Sequence, residues 1–354
     1  MAPFSLSKFI SDQMTVLPSV DELKADLSGK TVIVVGANTG LGLEAARHFA
    51  SMNPERLILA CRTPMTAYAA VDDIKKTAGC QTVEFWPIDL TSFASVSAFA
   101  TRFEKEGGGK LDILVENAGI ASHNYNRTRD GVEATLQTNH LASALLALLL
   151  LPSLSKATNA RITIVSCDAH YAISRLPEAD SPKIIEKLNE KNTGSRGEMS
   201  TKYRISKLLN VFFTRALAEH LPAGSSITVD SVNPGLCHSE LTRSSSGFFY
   251  YFVEFMKLIL GRSTEAGSRT LVHAALAGHQ ESMQGRYLNN CRVGEESDFV
   301  LSSEGRTVQE RVWKETVELL EEKDERVRGI VEGLLSAVFS DTLALCFSCD
   351  FDFL

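Results

Sequence analysis

Long basic runs are missing from this chain. Its 354 residues carry a net charge of -7. A nucleic-acid surface needs clustered Lys and Arg, so no such partner is expected. Cysteine is sparse: seven residues, at 61, 80, 167, 237, 291, 346 and 349, scattered and odd in number. That pattern argues against a disulfide framework and for a reducing compartment, so a cytoplasmic location is expected. Cys346 and Cys349 form a lone Cys-x-x-Cys without a second pair or a nearby His, and Asp168 with His170 lacks further ligands. No metal site is expected. Long apolar runs are absent too. Leu141–Leu151 is short, and 248–260 is interrupted by Glu254 and Lys257. Neither reaches the roughly 18 residues of a membrane span, which leaves only a peripheral membrane contact open. The first 30 residues hold Asp, Glu and Lys and no apolar h-region, so no secretory signal is expected.

What is present begins at Thr31. The run TVIVVGANTGLGLEAARHFA opens with a five-residue segment, Thr31–Val35, rich in Val and Ile. It passes Gly36, Gly40 and Gly42 and becomes a periodic apolar helix through Leu43, Ala46, Phe49 and Ala50. A buried strand, a glycine-rich turn and a helix together cradle a dinucleotide pyrophosphate. The helix N-terminus offers free amides and partial positive charge, and the missing β-carbons let phosphate approach. The spacing is Gly-x-x-x-Gly-x-Gly rather than the broader Gly-x-Gly-x-x-Gly.

Strand patterns recur at 31–35, 56–60, 82–88, 111–116, 160–166, 226–232 and 286–288. Helical periodicity lies between them, at 41–52, 66–78, 92–106, 130–154, 200–221, 264–277 and 304–335. This alternation predicts an α/β fold, a single doubly wound parallel sheet of the Rossmann type. Its strand C-termini, and the chemistry, then share one edge. Residues 1–29 read as a leader lying on the domain, 30–335 as the domain, and 336–354 as a separate tail.

Tyr203 and Lys207 stand on a strongly amphipathic helix, and i,i+4 spacing puts both on one face. Such a pair arises readily by chance, so its place after the fifth strand carries the weight. There a tyrosine acts as general acid or base if a neighbouring ammonium lowers its pKa.

The motifs VGANTGLG (35–42), LACR (59–62), DLTS (89–92), ENAG (116–119), TNHL (138–141), RITIVSCDAH (161–170), YRISK (203–207) and NPGLCHSEL (233–241) follow in order. In this the chain resembles the short-chain dehydrogenase/reductase family, in its retinol-dehydrogenase-like branch found in filamentous fungi. The resemblance implies that Gly36, Asn38, Gly40, Leu41 and Gly42 wrap the cofactor pyrophosphate. Asp89 and Leu90 would border the adenine, and Asn117, Ala118 and Gly119 would line the cofactor wall. Tyr203 would exchange the substrate proton, and Lys207 would hold the nicotinamide ribose. Asn139 would hold a water leading to that lysine. Pro234 and Gly235 would pass the nicotinamide, and Ser239 would meet its carboxamide. Read singly, Asn139 is also consistent with a helix surface and Asp89 with a plain strand end.

Cofactor choice follows from charge. The second strand ends in Ala60-Cys61-Arg62, with no acid to hold a ribose 2′-hydroxyl. Arg62 offers a planar fork suited to a 2′-phosphate, so NADP(H) is expected; a plain surface arginine is the alternative. One departure stands out. The family usually has Ser-Ser at the end of the fifth strand, and this chain has Ser166-Cys167. A thiol is the weaker donor to a developing oxyanion. Three outcomes stay open: Cys167 suffices, Ser166 turns inward in its place, or catalysis is slow or lost.

Residues 240–262 hold Phe248, Phe249, Tyr250, Tyr251, Phe252, Phe255 and Met256. As a lid they favour a lipophilic carbonyl or alcohol, and the fungal resemblance points to secondary metabolism. Packing on the core, on a partner subunit or on a membrane accounts for them equally. The expected activity is NADP(H)-dependent carbonyl–alcohol interconversion. The rival is a catalytically impaired NADP(H)-binding protein acting in partner recognition. Relatives in this family often pair through the long helices equivalent to 130–154 and 200–221, so the resemblance implies a homodimer as the default assembly.

Overall fold

The computed structural model describes residues 5–239, 248–277 and 283–335, with the side chains of 248–253 excepted. Eight strands form one sheet: β1 (Thr31–Val35), β2 (Arg56–Cys61), β3 (Val83–Pro87), β4 (Ile113–Glu116), β5 (Ala160–Val165), β6 (Ile227–Asn233), β7 (Arg286–Asn289) and β8 (Arg292–Val293). Their order is β3-β2-β1-β4-β5-β6-β7-β8. The first seven are parallel, and β8 returns antiparallel to β7. The order reverses between β1 and β4, so a crevice opens at their C-terminal ends.

The helices are α1 (Leu6–Gln13), α2 (Val20–Leu23), α3 (Gly40–Ala50), α4 (Pro64–Ala78), α5 (Phe93–Glu106), α6 (Ala134–Leu136), α7 (Ala142–Leu154), α8 (Ile184–Asn189), α9 (Arg196–His220), α10 (Phe248–Leu260), α11 (Thr264–Leu276), α12 (Asp298–Leu301), α13 (Ser303–Lys323) and α14 (Arg326–Leu334). Both faces of the sheet are covered, which is why its strands read as unbroken Val, Ile and Leu rather than as alternation. Ile33, Val35, Leu114 and Ile164 face α5, α7 and α9. Val32, Val34, Ile113 and Val115 face the small-residue sides of α3, α4 and α11, which supply Ala45, Ala46, Ala70 and Ala275. Each large side chain buried this way is worth ~1.5–3 kcal/mol.

The predicted helix 130–154 is not uniform. A π turn at Gln137–Leu141 separates α6 from α7. The whole run Ala134–Leu154 has the length and composition to cross a membrane, and 94% of its most apolar 18-residue window is buried inside the fold. It is the core helix, apolar on every side because sheet and helices surround it. The predicted helix 304–335 also breaks. Asp324 adopts an extended backbone and accepts bonds from Ser97 (2.6 Å) and Arg326 (2.7 Å), which ends α13. The β7–β8 hairpin went unforeseen; its turn places Asn290 and Cys291 in the left-handed region, at φ 54° and 57°. The leader contains α1 and α2. The tail 336–354, with Cys346 and Cys349, lies outside the described residues, as do 240–247 and the aromatic side chains at 248–252.

Candidate active site

The glycine turn leaves β1 directly over β4. A β-carbon on Gly36 would sit 2.9 Å from Ala118 Cα, and its φ is +76°. A β-carbon on Gly42 would strike the Gly36 carbonyl and Asn117 Nδ2. Asn117 Nδ2 donates to the Val35 and Gly36 carbonyls (3.3 and 3.1 Å). The turn and the Asn117–Gly119 segment are thus one surface, closed enough that only missing side chains make room. Asn38 Nδ2 donates to Thr66 Oγ1 (3.0 Å) and ties the turn to α4. Arg62 is exposed just past β2 and makes no ion pair among the described residues. Asp89 Oδ1 accepts from the Thr91 amide (3.0 Å) and hydroxyl (2.7 Å), a local turn that leads into α5. Leu90 beside it is buried.

Across the crevice, α9 carries Tyr203 and Lys207 one turn apart. Lys207 is buried and its Nζ donates to the Val165 carbonyl (2.9 Å), lying 5.9 Å from the Tyr203 ring centroid. A β-carbon on Gly119 would come within 3.6 Å of that Nζ and 3.3 Å of Asn139 Oδ1. Asn139 sits in the π turn, a local widening that recurs at functional sites. Its amide pairs with both backbone groups of Ile120, accepting from the N–H (2.8 Å) and donating to the carbonyl (2.9 Å). It also donates to Ser206 Oγ (3.0 Å), which in turn donates to the Tyr203 carbonyl (2.7 Å). Asn139 is therefore buried between two elements, and the surface-residue alternative is not what the structure shows.

The serine–cysteine pair resolves clearly. Cys167 Sγ lies 3.7 Å from Tyr203 Oη. Ser166 is engaged elsewhere: buried, its hydroxyl donates to the Lys207 carbonyl of α9 (2.8 Å) rather than to the phenol. The ladder bond from the Ser166 amide to Val232 (2.9 Å) and the extended backbone of Cys167 keep strand alternation running past β5. Ser166 does not turn inward, and the thiol takes the place beside the phenol.

Electrostatics departs from one expectation. Burial, reinforced by Cys167 and Asp168, pushes the Tyr203 phenol well above its usual range instead of lowering it. Burial also lowers Lys207, whose hydrogen bond goes to a carbonyl rather than to the phenol. Desolvation outweighs a charge held a ring's width away. Burial first, then the neighbouring Asp168, raises the Cys167 thiol to about 11, so it stays S–H at neutral pH. Asp168 is pushed up to about 6 by burial and by Asp12 of α1. Behind them His170 donates through Nδ1–H to the Cys167 carbonyl (2.7 Å) and packs on Tyr171 and Tyr287. No cluster of His, Cys, Asp or Glu fit for a metal exists among the described residues.

On the third side, Pro234 and Gly235 follow β6. The Gly235 amide donates to Asn233 Oδ1 (3.0 Å), and the Ser239 carbonyl accepts from Lys257 (3.3 Å). Three participants went unread in the sequence. Gln13 donates to the Leu236 carbonyl (3.0 Å) and accepts from its amide (3.0 Å). Arg262, buried, reaches the Pro234 carbonyl (3.3 Å). Ser206 joins Asn139 to α9. No local pattern marks any of them, since these partners lie 28 residues (Arg262 to Pro234) to 223 residues (Gln13 to Leu236) away.

An open parallel sheet with a glycine turn at its switch point, and a Tyr-x-x-x-Lys pair facing it, is the architecture of a nicotinamide-dinucleotide oxidoreductase. The chain belongs to the short-chain dehydrogenase/reductase family, in its retinol-dehydrogenase-like branch. The short chain dehydrogenase family profile matches residues 30–175. The short chain dehydrogenase/reductase dmxR8 of Cryptosporiopsis sp. is 39% identical over 304 residues, 83% of this chain and 91% of that protein. Retinol dehydrogenase 12 of Homo sapiens is 35% identical, over 89% of this chain and 96% of that protein. Among solved structures, an uncharacterized protein from Mycobacterium paratuberculosis superposes with TM-score 0.63 at 25% identity, covering 86% of this chain and 98% of that one. The NADPH-bound carbonyl reductase from chicken fatty liver superposes with TM-score 0.57 at 22% identity, covering 79% and 99%.

Proposed function

We propose that this oxidoreductase uses NADP(H) to interconvert a carbonyl and an alcohol on a lipophilic small molecule, in the manner of the fungal secondary-metabolite branch. The observation that carries the reading is the approach of Cys167 Sγ to Tyr203 Oη (3.7 Å) with Lys207 and Asn139 behind them. The glycine cradle fits a pyrophosphate, because β-carbons at Gly36 and Gly42 would fill it. Gly36, Asn38, Gly40, Leu41 and Gly42 hold that group, with Asp89 and Leu90 at the adenine, Asn117, Ala118 and Gly119 along the wall, and Pro234, Gly235 and Ser239 at the nicotinamide. Arg62, free of an ion pair among the described residues, takes the 2′-phosphate.

When bound, the cofactor supplies or accepts a hydride. Tyr203 moves the proton. A phenol with its pKa above the usual range is protonated at neutral pH, so Tyr203 hands its proton to the alkoxide in reduction and takes one back in oxidation. Cys167 donates S–H to the same oxygen, more weakly than a hydroxyl. Lys207 and Asn139 fix the site from behind and lead protons toward it. The exposed Phe255, Leu258 and Ile259 of α10 offer the lipophilic surface for the substrate. We place the protein in the cytoplasm, on the grounds of its unpaired cysteines. A homodimer and a peripheral membrane contact belong to this proposal as its assembly and surface.

A specific observation favours a second reading: the weak donor at Cys167 fits a non-catalytic NADP(H)-binding protein. NADPH titration combined with a screen of lipophilic ketones, aldehydes and alcohols separates the two. Turnover is expected, and Tyr203→Phe is expected to lower it by about 10²- to 10⁴-fold with NADPH affinity nearly unchanged. Full activity in that variant rejects the proton-transfer role; NADPH binding without any turnover selects the rival.

A further inference from the structure

We propose that Gln13, on the N-terminal helix α1, is a positioning residue that sets the loop at the nicotinamide end of the site. The inference rests on the cofactor reading above. Its observation is a side-chain amide acting as a strand. Gln13 is 8% exposed, and its Oε1 accepts from the Leu236 amide (3.0 Å) while its Nε2 donates to the Leu236 carbonyl (3.0 Å). The same Nε2 donates to the Leu260 carbonyl at the end of α10 (2.9 Å). One residue thereby ties the loop after β6 to the helix that follows it. Among the described residues the Leu236 amide has no other acceptor, so its position depends on Gln13.

The neighbours of Gln13 complete the clasp. Asp12 accepts from Asn289 (3.0 Å) and Asn290 (3.1 Å) of the β7–β8 hairpin. Arg262 reaches the Asp12 carbonyl, the Pro234 carbonyl (3.3 Å) and Asn290 Oδ1 (2.6 Å). Its own amide donates to the Leu236 carbonyl (2.8 Å), and the His238 amide donates to its carbonyl (3.0 Å). The clasped loop then meets the glycine turn. A β-carbon on Gly267 would touch Cys237 Sγ on one side and come within 2.8 Å of Leu41 Cδ2 on the other. Gly235 itself sits against Gln13, whose Oε1 occupies the space a β-carbon would need. A segment some 220 residues away in sequence therefore holds the wall opposite the pyrophosphate cradle.

The test uses the full chain with Gln13→Ala and Gln13→Met, the second keeping volume while removing the hydrogen bonds. The probes are NADPH and adenosine 2′,5′-bisphosphate, which carries only the adenine half. Affinity for NADPH is expected to fall about tenfold in both variants, with the bisphosphate unchanged. Amide hydrogen exchange at Leu236 is expected to accelerate while β1 and β4 keep their wild-type rates. NADPH affinity within about twofold of wild type, or parallel losses for both probes, overturns the proposal, the second showing only general loosening. A wild type that binds both probes with variants unchanged overturns the proposal alone. A wild type that binds neither removes the cofactor reading and the proposal with it.

Discussion

The two banks of the crevice are built in opposite ways. The bank at β1 and β4 comes from short consecutive stretches: a strand, three glycines and a helix start within Thr31–Ala50, and Asn117–Gly119 beside them. It makes room by omission, through side chains that are not there. The bank at β6 and β7 comes from four distant segments, α1, the loop after β6, the end of α10 and the β7–β8 hairpin. It holds shape by addition, through polar side chains that stand in for backbone. The same device appears between the banks, where Asn139 pairs with Ile120 as Gln13 pairs with Leu236. An omission is encoded locally and survives change elsewhere. An addition depends on two partners that must arrive together.

Three substitutions sharpen this contrast. The largest effect is expected for Cys167→Ser, which restores a strong donor beside Tyr203 without touching the nucleotide bank. Turnover should rise by about tenfold to a hundredfold, with NADPH affinity unchanged, as read by steady-state kinetics and titration. No gain would mean that the pocket is limited elsewhere. Arg62→Ala acts on the other bank alone. It should reduce the preference for NADPH over NADH by about tenfold, the worth of a charge-assisted bond, and leave the chemical step intact. An unchanged ratio would remove Arg62 from cofactor choice.

The smallest effect is expected at the seam. Glu116 ends β4 between Val35 and Ile164, is 3% exposed, and neither carboxyl oxygen has a hydrogen-bond partner among the described residues. Burial holds its pKa well above the usual carboxylate range. The folded chain then binds a proton that the unfolded chain releases. Stability is therefore fullest below the ordinary carboxylate pKa and drains as pH rises toward the folded value. Glu116→Gln should flatten that slope and raise the melting temperature at neutral pH by a few degrees, with little change near pH 4.5. Identical slopes in both proteins would show that Glu116 ionises without penalty.

Legibility followed the same divide. The β1 turn, the parallel order and the Tyr203–Lys207 face could be read because each depends on residues near one another in the chain. The breaks at Gln137–Leu141 and Asp324 could not, because apolar periodicity runs through both; only a π turn and an Asp324–Ser97 bond interrupt it. The Cys167 question had a local answer in strand alternation, once the strand was known to stay extended past Val165. The tyrosine pKa was misjudged because spacing reports that an ammonium is near, and not how much water burial has removed. Gln13 and Arg262 were invisible because glutamine and arginine carry no signal until their carbonyl partners are known.

The π turn at Gln137–Leu141 leaves α6 and α7 out of phase by one surplus residue. Removing a single residue there would let the helix run straight, with every backbone bond re-formed and the apolar run Ala134–Leu154 still able to fill the core. Asn139 would rotate off Ile120 all the same. A single-residue deletion in that turn is therefore expected to separate scaffold from pocket, with a melting temperature near wild type and turnover lost.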